Sequence, residues 1–303
     1  MAEAPAQDRI LSAIGLRLTS VALFAVMNVG IKLAEANGAA LPEILFWRQF
    51  GATLLVAGVV LTGPGLKSLA TKRLPAHLLR CVVGLTAMSL TFSALLALPL
   101  AEATTIGFSM PIFATVLGAL ILGEPTGRWR WGAVLSGFVG VLVVAQPGGT
   151  HFPLLGALMG LGAAFCTASV TILLRQIGRT EAPMTTVFWF SALSTVPLGL
   201  LYLFTARAHP LATWGLLVGI GLLGGAAQLA MTTSLVRGPV SVVVPMDYTS
   251  LVWATLFGWM IFGNLPIAAT WIGAPIIVAS GLVIVWREHV RRREDTVRAI
   301  PTS

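Results

Sequence analysis

Two stretches of the chain, 140 residues apart, decide the fold: Pro99–Gly123 reads PLAEATTIGFSMPIFATVLGALILG and Pro239–Gly263 reads PVSVVVPMDYTSLVWATLFGWMIFG. Each begins on proline, ends on glycine and is about as long as a helix crossing a bilayer. Placed in register, they share Ala114-Thr115 with Ala254-Thr255, Gly118 with Gly258 and Ile121 with Ile261. Charge is missing from Ala103–Gly123 and from Gly238–Met246. A segment of this length with a single charged residue, Glu102 in one copy and Asp247 in the other, belongs to a membrane protein built from a repeat.

The repeat extends outward from this pair. After one extra residue in the second copy, Gly132-Ala133 aligns with Gly273-Ala274 and Gly140 with Gly281. Earlier in each half, Phe46-Trp47 and Thr53 align with Phe188-Trp189 and Thr195. Apolar stretches long enough to span place five helices in the first half: Leu11–Leu33, Glu43–Thr62, His77–Leu98, Ala101–Leu122 and Trp129–Ala145. Five more follow: Phe152–Leu174, Met184–Thr205, Leu211–Leu235, Val240–Phe262 and Ala268–Trp286. The expected fold is therefore an all-α integral membrane protein of ten helices. Residues 10–148 and 152–287 form its two repeats, and 288–303 a basic tail.

Composition agrees with this reading. Of 303 residues 56% are hydrophobic and 10% charged, with a mean hydropathy of +0.90. The net charge of +8 resembles that of a nucleic-acid binder, but the positions of the basic residues explain it better. With the N-terminus cytoplasmic, Arg9, Lys67, Lys72, Arg73, Arg80, Arg128, Arg130, Arg175, Arg179, Arg237 and the arginines of the tail fall inside. Only Arg207, with Lys32 at a border, falls outside, as the positive-inside rule requires. The expected location is a bacterial plasma membrane, with both termini cytoplasmic, a retained first span and the lipid bilayer as partner. No nucleic acid is implied, and the protein is read as a monomer. Cys81 and Cys166 lie in apolar segments, which argues for packing rather than a disulfide or a metal site. An odd number of spans per half inverts the second copy in the membrane. Inverted repeats are a hallmark of secondary transporters, with the site near the midplane at the repeat interface.

Leu98-Pro-Leu-Ala-Glu-Ala-Thr-Thr, Met110-Pro-Ile-Phe-Ala, Leu122-Gly-Glu-Pro and the run from Gly132 to Val143 resemble the EamA domain of the drug/metabolite transporter superfamily. Pro42-Glu-Ile-Leu-Phe-Trp-Arg-Gln-Phe is similar to that family's second-helix segment. The resemblance covers residues 10–287 and implies a ten-span carrier, of the type that exports amino acids and metabolites or imports S-adenosylmethionine. The second copy departs from the pattern, with Leu251 in place of Pro111 and Asn264 in place of Glu124.

Polar groups at membrane depth are costly, so each is a candidate contact for a small-molecule substrate. Asp247 lies well inside the ninth span, after Pro245 and before Tyr248. It suits an ammonium group or a coupling proton, or else a structural ion pair with Arg48 or another cation. Arg48 suits a carboxylate, from Glu43, Asp247 or a substrate. Asn28 shares a helix face with Lys32, which can snorkel outward. In the fourth span Thr105, Phe108 and Ser109 precede Pro111, and Phe108 is the repeat counterpart of Tyr248. Ser89, Thr167, Trp189 and Gln228 complete the set. Each hydroxyl among them can instead bond back to its own helix. The spacings Gly156-xxx-Gly160, Gly215-xxx-Gly219 and Gly221-xxx-Gly225 allow close helix crossings.

No phosphate-binding loop, HExxH, nucleophile elbow or Cys/His cluster occurs, so no cofactor, metal or catalytic residue is expected. An integral-membrane enzyme would need His77, His151, His209 and His289 gathered at one face. A passive channel would show flux without saturation. The leading expectation is a secondary transporter of amino acids or related metabolites, running as an exporter.

Overall fold

The computed structural model describes residues 6–63, 65–121, 128–145, 153–178, 180–237 and 243–298. The described residues are helical and contain no strand. In chain order the helices are α1 (Ala6–Ala36), α2 (Leu41–Thr62), α3 (Leu74–Ala97), α4 (Leu100–Gly107), α5 (Met110–Ile121) and α6 (Arg128–Ala145). The second half supplies α7 (Leu154–Ile177), α8 (Pro183–Thr205), α9 (Leu211–Arg237), α10 (Thr249–Phe262) and α11 (Ala268–Arg298). Helical structure thus lies over each of the ten expected stretches. Counting α4 and α5 together, eight of them are long and apolar enough to cross a membrane, and Trp131–Ala145 is a shorter apolar helix. Large apolar side chains point outward, with Phe204 88% and Leu211 87% exposed, as a lipid solvent requires. The Leu122-Gly-Glu-Pro motif, with Glu124, and Pro239, Val240 and His151 lie outside the described residues.

Two expected spans are not continuous helices. The fourth breaks at Phe108 and Ser109, between α4 and α5. Pro111 has no N–H to bond Gly107, and the Phe108 N–H is shared between Thr104 and Thr105 carbonyls at 3.3 and 3.1 Å. The ninth opens on a tight 3₁₀ turn, Val244–Tyr248, before α10 begins. Pro245 sits in that turn. The breaks fall at equivalent places in the two copies, Phe108 and Tyr248, and the two rings meet edge to face at 4.9 Å. Broken helices at the repeat interface are how carriers expose polar backbone to a cavity.

The most extensive helix contacts respect the repeat. Exchanging the halves turns α1 against α9 into α7 against α3, and α2 against α9 into α8 against α3. The pairs α2–α8 and α6–α11 map onto themselves. Thr53 and Thr195, aligned in the sequence, touch hydroxyl to hydroxyl at 3.3 Å on the α2–α8 pair.

The glycine spacings divide into two kinds. Gly221 and Gly225 face α2: a Cβ on Gly221 would lie 2.5 Å from the Trp47 carbonyl oxygen, and one on Gly225 3.0 Å from Ala52. Gly156 and Gly160 face Leu98 and Ile106 in the same way, whereas Gly215 and Gly219 meet nothing within 4 Å. Gly221→Ala therefore has to separate two backbones. It is expected to cost about 1–3 kcal/mol and to lower the thermal unfolding midpoint of the purified protein, while Gly219→Ala leaves it unchanged.

Candidate functional site

A cavity of about 420 Å³ opens between the halves, walled by α1, α3, α4, α7 and the 3₁₀ turn leading into α10. It falls in the size range of small-molecule sites. A larger opening of about 760 Å³ lies between α6 and α11, lined by Gly132, Ala133, Ile276 and Val283 with Arg128 and Ser136. That groove carries little polarity, whereas the inter-half cavity gathers the ionisable groups. Chemistry belongs to the latter.

Its lining includes an ion pair joining the first helix to the ninth stretch. Arg17 donates from Nε to Asp247 Oδ1 at 2.5 Å and from Nη2 to Asp247 Oδ2, a two-pronged contact. The Arg17 side chain is 9% exposed and that of Asp247 37%, so the carboxylate is the partner that faces the cavity. Arg17 Nη1 is buried without an acceptor among the described residues. Around the pair, Phe24, Phe108, Tyr248 and Phe257 supply aromatic wall, and Asn28, Thr91, Thr104, Thr167 and Ser250 supply polar points. The Thr91, Thr104 and Thr167 hydroxyls each bond the carbonyl one turn back, which lets them sit at membrane depth without a ligand.

Of the residues read from sequence, Asn28, Phe108, Thr167, Asp247 and Tyr248 line this cavity. The others are placed elsewhere. Thr105 and Ser109 are fully buried and bond back to Ala101 and Ile106 carbonyls at 2.7 Å. Trp189 donates its indole N–H to the Leu69 carbonyl at 2.9 Å, and Ser89 is half-buried away from the cavity lining. Arg48 and Gln228 contact each other at 3.3 Å, outside the cavity.

The expected partners of the charges also change. Asp247 is paired by Arg17, not Arg48, because the first helix packs beside the turn that carries Asp247. Glu43 accepts from the Arg207 backbone N–H at 3.0 Å and contacts His209 at 3.2 Å, which ties the start of α2 to the α8–α9 connection. Lys32 does not snorkel freely but donates to the Leu98 carbonyl at 2.7 Å. His77 is buried in α3 beside Glu181 and His209 pairs with Glu43, so these two histidines occupy separate places. Among the described residues no cluster could hold a metal.

Arg17 was not legible as a site residue beforehand, although its position inside the first apolar stretch was a signal: an arginine within a span is rare without a function. Glu102 is a second such residue, accepting from the Ile267 backbone N–H at 3.0 Å and from Thr270 Oγ1 at 3.2 Å.

Residues 11–146 and 154–286 each match the EamA-like transporter family. The chain is 30% identical to a riboflavin transporter of Vibrio cholerae, over 92% of this chain and 95% of that protein. It is 28% identical to a pseudopaline exporter of Pseudomonas aeruginosa, over 91% and 97%. It is 26% identical to an S-adenosylmethionine uptake transporter of Rickettsia prowazekii, over 81% and 83%. A solved crystal structure at 22% identity shares the fold, with a TM-score of 0.62 over 90% of this chain and 96% of the other. The chain belongs to the EamA-like transporter family, within the drug/metabolite transporter superfamily, and is a multi-pass membrane protein.

The geometry separates accessible from buried candidates. In a protein whose Cys81 and Cys166 are replaced by alanine, Thr167→Cys and Asn28→Cys are expected to react with a small water-soluble thiol reagent. Ser109→Cys, fully buried against its own helix, is expected to stay unlabelled, as read by mass spectrometry.

Proposed function

We propose that this chain is a secondary transporter that moves amino acids or related small metabolites across the membrane by alternating access, with net export, using the cavity between its halves. The observation that carries the reading is the Arg17–Asp247 pair. A charge left unpaired at membrane depth is costly, so the pair can open only if something replaces each partner. A zwitterion does both: its carboxylate takes the place of Asp247 beside Arg17, and its ammonium takes the place of Arg17 beside Asp247. A proton on Asp247 is the other means of parting the pair and would supply coupling. The aromatic wall accommodates the apolar part of the substrate.

Two ties lie at opposite ends of the cavity along α1: Arg17 with Asp247, and Lys32 with the Leu98 carbonyl. In the proposed cycle one tie opens while the other holds, which gives each face access in turn. The positive-inside rule supports a reading with the start of α1 and both termini on the cytoplasmic side of a bacterial membrane. Arg17–Asp247 then closes the inner side. Support for export comes from the likeness to a pseudopaline exporter, and for import from the likeness to an uptake transporter for S-adenosylmethionine. The protein acts as a carrier rather than an enzyme, as its relatives' names suggest, and as a monomer.

A second reading is favoured by the ring-rich wall. Phe108 and Tyr248 form an edge-to-face pair beside Phe24 and Phe257, a setting for a planar heteroaromatic body. Two relatives at 30% identity are named riboflavin transporters. The readings separate in counterflow assays with proteoliposomes loaded with amino acids or with riboflavin. Exchange of an amino acid supports the first, and exchange of riboflavin alone replaces it with the second. Failure of both classes to exchange rejects this substrate assignment.

Whichever substrate exchanges, Asp247→Asn is expected to lower the initial rate by about tenfold or more, the equivalent of ~1.4 kcal/mol. It should also flatten the dependence on an imposed pH gradient. Unchanged flux with unchanged pH dependence would falsify the role given to Asp247.

A further inference from the structure

The groove between α6 and α11 is separate from the cavity and differs from it in shape and chemistry. The two helices run antiparallel, with Gly140 against Gly273 and Ala133 against Ser280. They cross in backbone contact: a Cβ on Gly140 would lie 3.0 Å from the Gly273 carbonyl oxygen, and one on Gly273 2.6 Å from that of Gly140. Toward the start of α6 this contact gives way. Gly132 meets nothing within 4 Å, and the opening of about 760 Å³ extends to Arg128 and Trp129 on one helix and Val283 on the other.

Short side chains make the groove, and their polarity is already spent. Ala133 and Ser280 are buried beneath it, while Gly132, Ser136 and Ala279 form exposed walls. The Ser280 and Ser136 hydroxyls both donate to the Ala133 carbonyl. What the groove offers along its length is therefore contact for hydrocarbon. A polar metabolite laid there would lose its hydration without finding partners, whereas an alkyl chain would lose nothing.

The mouth is different. Arg128, the first residue of α6, lines it and is exposed. Trp129 and Trp286, 65% and 59% exposed, mark this end as the level of the lipid headgroups. Beyond Trp286, α11 continues through Arg287, Arg291, Arg292 and Arg293. From Arg128 to Ser136 the groove descends about 12 Å at the helical rise, against ~15 Å for half of the hydrocarbon core. A cation at headgroup level above an apolar groove one leaflet deep is the complement of a lipid with a negative headgroup.

We propose that this groove binds an anionic glycerophospholipid from the leaflet at the face where α6 begins. Its phosphate lies against Arg128 and one acyl chain runs along Gly132, Ser136 and Ala279. In the positive-inside reading that face is the cytoplasmic one. The site does not depend on the transport reading, since no residue of the groove lines the cavity.

The test uses the full-length protein in a neutral detergent, titrated with phosphatidylglycerol or with phosphatidylcholine carrying the same acyl chains. Native mass spectrometry counts the retained lipid. Phosphatidylglycerol is expected to bind saturably, with a half-saturating concentration about tenfold or more below that of phosphatidylcholine, the equivalent of ~1.4 kcal/mol. Arg128→Gln should abolish this preference. Gly132→Leu, whose side chain enters open space and fills the groove without parting the helices, should lower retention of both lipids. Equal retention of the two lipids by the wild type overturns the proposal, and this arm needs no variant to fold. A preference that survives in Arg128→Gln overturns it, as does unchanged retention by Gly132→Leu. So does a disulfide between two copies carrying Gly132→Cys, with Cys81 and Cys166 replaced by alanine, in liposomes: a second copy would then cover the groove.

Discussion

Hydrocarbon solvates neither charge nor free backbone, so each buried ion in this bundle must be matched by a group brought from another helix. Arg17 in α1 finds its match across the molecule in Asp247, beside the broken entry to α10. Lys32 is satisfied by a carbonyl at the end of α3, Glu43 by the α8–α9 connection, and Glu102 by the start of α11. These ties are all between elements distant in sequence. They turn a set of individually greasy helices, free to slide in lipid, into one arrangement with a defined register.

The backbone obeys the same constraint. A proline in a membrane helix frees a carbonyl that lipid cannot satisfy. Pro111 lines the cavity and Pro245 is half-buried in the turn before α10, and at both the helix breaks, whereas Pro197 and Pro275, exposed inside α8 and α11, leave their helices continuous. The irregular backbone at Phe108 and at Val244–Tyr248 follows from local sequence, yet its tolerance depends on the other half covering it. The two breaks face each other because the repeat places them about one axis, and the cavity is the space between them.

Much of this could be read from the chain without coordinates. Helix positions follow from the lengths of the apolar runs, and the internal match at Pro99 and Pro239 foretold that the fourth and ninth stretches would be equivalent. Asp247, Tyr248 and Phe108 were legible because a polar or aromatic group beside a proline at membrane depth has few innocent explanations. Pairing was not legible. Arg48 and Arg17 are both arginines one or two turns inside an apolar run, and nothing in either local sequence says which one reaches Asp247. That is decided by the crossing of α1 with α9 and the turn after it, a tertiary fact. Thr105 and Ser109 failed as lining residues for the opposite reason: a hydroxyl can satisfy itself on its own helix, so its presence carries no information about which way it faces.

The repeat is symmetric in packing and asymmetric in chemistry. Gly107 stands where the second copy has Asp247, and Phe190 stands near the place that Arg48 holds in the first. Duplicated helices supply two equivalent hinges, but single charged substitutions load them differently. Arg17 is tied to the carboxylate of Asp247, whereas Lys32, farther along α1, is tied to the Leu98 carbonyl. In the proposed cycle these two ties are related places in the fold with unequal chemistry. The duplicated scaffold thus carries the cavity-lining carboxylate of Asp247 in one copy and Gly107 at the matching place in the other.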